Sequence, residues 1–443
     1  MQIHKGDQLF QEALKYFISG VGAAGRFFPT IGRPLFLERA DGAYLFDIDG
    51  NQYIDYHSSS GATFLGYNNP EIKQAMQQAL DMGYFCNYET EYHVKLAELL
   101  CASVPCAEKV RFANSGTEAT LGAIRLARGV TGRKKIIKFE GHFHGMHEMA
   151  WFNCHTTLSE PNEYGEIPCI PDSAGIPEEI ASMVIVLPSN EPDIFRSCMK
   201  RHQGEIAAVI MEPVMYNAGC VLPKQEFVQA VREETEHAGT VLIFDEVLSG
   251  FRMCLGGGQE YLGVTPDLAT LAKALGGSGV PIAALVGKEW VMNGLNPVGK
   301  VVMSGTYTGH ILEVLGSLKA VEIMRSPGFY DHLNQLADRL YSGLSDLLQR
   351  YRIKAVIQGV GARFAIYFGL EHTPIYDYRQ VVRHFDFDMN QRFLRKAFEK
   401  YLYIHDYGNK LSPTHHGFTS AHTLEDINET LTRCEDIFKL ISD

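Results

Sequence analysis

From about residue 90 onward, short apolar runs alternate with stretches patterned as amphipathic helices. The runs are VRFA (110–113), KKIIKF (134–139), MVIVLP (183–188), AAVIMEP (207–213), TVLIFDEV (240–247) and PIAALVG (281–287). Each is too short for an ordinary helix and is bounded by turn or polar residues. Between the first two, Leu121, Ile124, Leu126, Ala127 and Val130 recur at helical spacing, as do the apolar residues of EFVQAVREETEHAG (226–239). Continuously apolar strands separated by helices predict βα units and a mostly parallel sheet covered on both faces. The fold class is therefore α/β.

Both flanks have a different texture. Residues 35–56, LFLERADGAYLFDIDGNQYIDY, alternate apolar and polar residues around two Asp-Gly turns, the mark of a hairpin or small meander. After about residue 320 come a long helix (DHLNQLADRLYSGLSDLLQRY), a strand (GARFAIYFG) and a further helix (QRFLRKAFEKYL). We divide the chain into 1–65, a helix and hairpin belonging to a smaller domain; 66–320, the large domain; and 321–443, the rest of the small α+β domain. The net charge of −12, with no basic block to offset it, argues against a nucleic-acid partner. No stretch approaches the ~20 apolar residues of a membrane span, and the first residues do not read as a secretory signal. Nine scattered cysteines without a C-x-x-C pair suggest reduced thiols and a cytoplasmic setting.

In open parallel sheets, ligands gather at the carboxyl ends of strands. TVLIFDEVLSGFR places Asp245 and Glu246 at such an end, and Lys273 stands beside a glycine-rich turn in LAKALGG. NSGTEAT sets Ser115, Gly116 and Thr117 at a helix start, where free N–H groups and the helix dipole suit a phosphate. Each feature alone has a plain structural explanation: a cap, a turn, a snorkelling lysine. A phosphate cradle, a lysine and a carboxylate on one sheet edge together fit pyridoxal phosphate. Asp245 would keep the pyridine nitrogen protonated, and Lys273 would form the Schiff base and shuttle the substrate proton. GHFHGMHE (141–148) could suggest zinc, but it lacks the H-E-x-x-H arrangement and supporting thiolates. No metal is expected.

NSGTEAT, GHFHG, MEPV, FDEVLSGFR, LAKALGG, SGTYTG and GFTSAHTLEDI occur in the order that characterises class III pyridoxal-phosphate aminotransferases. DGAYLFDIDGNQYIDY also resembles that family, most closely its glutamate-1-semialdehyde aminomutase branch. The resemblance implies fold type I, with a mostly parallel seven-stranded sheet in the large domain. It also implies roles for individual residues. Ser115, Gly116 and Thr117 would hold the phosphate, reached by Thr306 from a second subunit of a homodimer. Phe143 and Val247 would cover the two ring faces, while His144 and Glu212 would line or order the site. His142 and His147 would satisfy local hydrogen bonds, and Arg252 would be structural.

For substrate, the resemblance points to Arg26 as a carboxylate ligand. Ser60, Asn153 and His415 stand where the aminomutase has a tryptophan, a lysine and an acid, and Phe143 replaces its stacking tyrosine. These departures lead us to expect an aminotransferase working in ping-pong fashion between an amino donor and a keto acceptor. The serine at 60 suggests room for a bulky or aromatic amino acid, with residues 154–171 as a cover. The alternative is glutamate-1-semialdehyde 2,1-aminomutase itself.

Overall fold

A computed structural model describes residues 4–442. At its centre is a seven-stranded sheet, and the predicted apolar runs supply six of its strands. In spatial order these are Lys109–Ala113, Ala283–Gly287, Leu268–Leu271, Val241–Glu246, Ile206–Met211, Lys135–Phe139 and Val184–Leu187. Ala283–Gly287 runs antiparallel to both neighbours, and the rest of the ladder beyond it is parallel. Val241–Glu246 and Ile206–Met211 are buried at every position because helices cover both faces. Side chains alternate across the sheet, so Val241 and Ile243 join one apolar cluster while Leu242 and Phe244 join another.

The helices begin and end on recognisable signals. Gly116–Thr131 starts on the Ser115 side chain, which accepts from the Glu118 N–H, and stops at Gly132 with φ 68°. Gln225–Ala238 ends at Gly239, where φ is 59°.

The amino-terminal meander, Leu37–Asp41, Tyr44–Asp47 and Gln52–Asp55, is completed by Leu402–Tyr403 from far along the chain, parallel to Gln52–Asp55. A third sheet consists of Ala355–Val360, Arg363–Phe368 and His416–Gly417. The four-stranded sheet is thus assembled from both ends of the chain. One apolar cluster runs from Ile54 in that sheet through Leu275 and Leu344 to Phe438. The helix Ile311–Met324 is continuous across position 320. Among the described residues no helix is long and apolar enough to cross a membrane.

Phe244 is fully buried in the central strand. Phe244→Ala should therefore destabilise the protein by about 3–5 kcal/mol, measured as a lower urea midpoint. An unchanged midpoint would contradict this packing.

Candidate active site

The carboxyl ends of the central strands carry the polar residues that the apolar runs exclude. Asp245 is 4% exposed, and its Oδ2 lies 2.8 Å from Nδ1 of the fully buried His144. Asp245 Oδ1 accepts from the Val247 N–H at 3.1 Å and from Thr270 Oγ1 at 3.1 Å. A carboxylate offers about four acceptor positions, so a further donor can still be accommodated. Glu212, at the end of the adjacent strand, accepts from the Phe143 N–H at 2.9 Å and from Asn217 Nδ2 at 3.0 Å. Burial pushes the Glu212 carboxyl up to about 8. Glu212 therefore fixes the backbone that carries Phe143.

GHFHGMHE forms the loop after Lys135–Phe139, and each of its histidines has a structural partner. His142 Nδ1 accepts from the Glu212 N–H at 2.9 Å, and His147 Nε2 lies 3.2 Å from Thr120 Oγ1. Gly145 has φ 92°, and a Cβ there would come within 2.8 Å of Thr117 Oγ1, so glycine permits this close approach.

Lys273 opens the turn after Leu268–Leu271 with φ 47°, a conformation that a lysine holds only when its surroundings enforce it. Burial, Arg252 and Arg363 together push its ammonium down to about 8, against the opposing pull of Asp245 and Glu212. Lys273, Phe143 and Asn217 stand where two cavities meet. The inner cavity, about 170 Å³, is lined by Ser115, Gly116, Thr117, Phe143, Asp245 and Val247, among others. The first-turn N–H groups of Gly116–Thr131 lack intrahelical acceptors, and Ser115 Oγ takes only that of Glu118. A helix start, a carboxylate with spare acceptor capacity, a phenyl ring, a valine and a lysine of lowered basicity match a planar phosphorylated pyridine. The donor set therefore fits pyridoxal phosphate.

The outer chamber, about 760 Å³, is lined by Ser60, His155, Thr157, Tyr407, Lys410 and His415, with Lys273 at its inner end. The segment 154–171 thus contributes wall residues, anchored by Arg379, which grips Glu140 at 2.8 and 3.2 Å and the Ser159 carbonyl at 2.6 Å. Ser60 is the last of three consecutive serines with positive φ, at 57°, and its Oγ meets Tyr407 Oη at 2.6 Å. Ser60 and Tyr407 therefore share one wall of the chamber, joined through their hydroxyls.

Two other expected substrate residues lie outside the lining of either cavity. Asn153 is directed at its own loop, donating to the Pro168 carbonyl at 3.0 Å and accepting from the Ile170 N–H at 2.9 Å, so it is a loop clamp and not a chamber residue. Arg26 is exposed, on a turn next to Gly25, whose position faces Tyr407. Thr306, expected to act from a second subunit, is exposed and lines neither cavity of its own chain. Arg252 is buried and donates to the carbonyls of Leu248 and Gly61, the structural role expected of it. Thr120, Asn217, Thr270 and Tyr407 were missed in the sequence. Thr120 alone left a signal, one helical turn beyond Gly116.

With the Lys273 amine near 8, capture of pyridoxal phosphate by the apoprotein should accelerate as pH rises through about 8, then level off. Stopped-flow absorbance would show this, whereas a midpoint at ordinary lysine basicity, about 10.4, would contradict it. Lys273→Ala should abolish borohydride trapping of the cofactor on the protein; trapping at the same stoichiometry would identify another lysine.

Comparison with known proteins places these residues in a family. The model of aminotransferase class-III matches residues 29–435. Glutamate-1-semialdehyde 2,1-aminomutase of Persephonella marina is 39% identical over 99% of both chains, and that of Methanocaldococcus jannaschii is 38% identical over 99% of both. An omega-transaminase structure from Sphaerobacter thermophilus superposes with a TM-score of 0.91 at 30% identity, over 99% of this chain and 98% of that one. The full-length similarity to aminomutases overturns the expectation of a ping-pong aminotransferase for bulky amino acids. That expectation rested on single-position departures, of which Asn153 is turned into its own loop. The fold is type I, the cofactor is pyridoxal phosphate, and the chain belongs to the class III aminotransferase family, in its glutamate-1-semialdehyde aminomutase-like branch.

Proposed function

We propose that the protein is a glutamate-1-semialdehyde 2,1-aminomutase, relocating an amino group between neighbouring carbons of one substrate. The carrying observation is Lys273 at the junction of a cofactor-sized cavity and a walled chamber, in a chain full-length similar to aminomutases. The reaction is an isomerisation and needs no keto acceptor.

When bound, pyridoxal phosphate supplies a ring that takes up electron density from a substrate C–H bond and carries the amino group. The chain's own residues do the rest. Asp245, held by His144 and Thr270, would face the ring nitrogen, and its negative charge would keep a proton there. Ser115, Gly116 and Thr117 would take the phosphate at the helix start. Phe143, pinned by Glu212, and Val247 would confine the ring between them. Lys273 would accept and return the substrate proton at Nζ, a task suited to an amine titrating near 8. His155 and Thr157 on one side and the loop 407–415 on the other would restrict escape of a small intermediate.

The functional unit we propose is a homodimer in the cytoplasm. Thr306 is exposed beside Tyr307 at 63% and Val302 at 59%, apolar surface that a second copy would cover while bringing Thr306 to its cofactor site. The cysteines are all unpaired, as a reducing compartment would leave them.

Glutamate-1-semialdehyde given alone to the cofactor-loaded protein should yield 5-aminolevulinate without any keto acid. Product formation that depends on added keto acid, with stoichiometric consumption of it, would overturn the aminomutase reading.

A further inference from the structure

The chamber wall contains a histidine where the branch's pattern has an acid. His415 is 4% exposed and lines the chamber that Lys273 closes. Its Nδ1 lies 3.2 Å from Nη1 of Arg363. Arg363 is fully buried, in the strand Arg363–Phe368 that pairs with His416–Gly417. Its guanidinium is fixed between two glycines: a Cβ at Gly417 would come within 2.7 Å of Nε, and one at Gly61 would collide with Nη2.

A guanidinium carries only donors and keeps its proton. Nδ1 of His415 must therefore be the acceptor of this bond, which leaves the ring proton on Nε2. A second proton on Nδ1 would oppose the arginine N–H directly. Of the other ionisable groups facing the ring, Lys273 reinforces that opposition, while burial holds His57 and His416 as neutral imidazoles. The chamber also presents the Lys410 ammonium and the Ser60 and Tyr407 hydroxyls. A wall of neutral donors with a lysine ammonium attracts an anion.

We propose that His415 is a specificity-determining residue, held by Arg363 as a neutral Nε2-protonated imidazole that donates a hydrogen bond to the substrate carboxylate. Arg363 is the positioning residue and makes no contact with substrate. The carboxylate assignment rests on the aminomutase reading; the Arg363–His415 arrangement does not.

Two measurements on the cofactor-loaded protein test this. In ¹⁵N-histidine-labelled enzyme at neutral pH, His415, assigned by its disappearance in His415→Gln, should show an unprotonated Nδ1 and a protonated Nε2. Arg363→Met should release that preference and mix the tautomers. A protonated Nδ1 or a cationic ring in the wild-type spectrum would overturn the arrangement, and this result is independent of whether the variant folds. In kinetics, His415→Phe should raise KM for glutamate-1-semialdehyde about tenfold or more, the loss of one hydrogen bond to a charged group. The effect on kcat should be smaller. His415→Gln, which can accept from Arg363 and still donate, should recover most of that loss. Equal KM values in all three proteins would remove the carboxylate contact. If the wild-type enzyme does not turn over glutamate-1-semialdehyde, the aminomutase reading and the carboxylate assignment fall together. The nitrogen shifts would still decide how Arg363 holds His415.

Discussion

Two adjacent carboxylates, Asp245 and Glu246, are buried at the end of the central strand, and the surrounding structure supplies the donors that make this tolerable. Alternation along the strand sends them to opposite faces. Glu246 is satisfied by Ser249 Oγ at 2.8 Å and by the N–H groups of Gly258 and Gln259 at 2.7 and 3.1 Å. Asp245 is satisfied by His144, Thr270 and its own turn. Leaving such a buried carboxylate short of a donor costs about 1–3 kcal/mol or more, so the loop carrying His144 is tied to the strand that carries Asp245. Phe143 precedes His144, and Glu212 holds Phe143 from the neighbouring strand end. One electrostatic requirement thus fixes three strand ends and Phe143 together.

The small domain extends the same logic to the substrate side. Asp55, at the end of the amino-terminal meander, accepts from the N–H groups of His57 and Ser58 at 2.8 and 2.9 Å and so shapes the serine turn. The turn delivers Ser60 to Tyr407, and Gly61 lies against both buried arginines. Arg252 and Arg363 each act on the chamber through neighbours, one through the Gly61 carbonyl and the other through His415. Their charge, with burial, also lowers the basicity of Lys273.

The parts of the fold legible in the sequence were those set by local pattern. Apolar runs marked six strands of the central sheet, Asp-Gly turns marked the meander, and Gly239 marked a helix end. Asp245, Lys273 and the Ser115 turn were legible because a parallel sheet exposes chemistry only at strand ends. The exception was Leu268–Leu271, whose run merges with the polar residues around Lys273. What could not be read was contact between distant segments. Ser60 and Tyr407 are 347 positions apart, and nothing local to either announces their pairing. Asn153 looked like a pocket residue because its position was read without its orientation, which the carbonyl of Pro168 and the N–H of Ile170 determine. Arg363 left no signal, since nothing in a strand of apolar residues announces a cation wedged between two glycines.

The account depends on the buried Asp245 and the strained Lys273 addressing one cofactor. A crystal structure of the protein reconstituted with pyridoxal phosphate tests this most directly. The account predicts the cofactor joined to Lys273, its ring between Phe143 and Val247 and its nitrogen within hydrogen-bond reach of Asp245. A cofactor attached to another lysine, or a ring nitrogen facing any group other than Asp245, would contradict it.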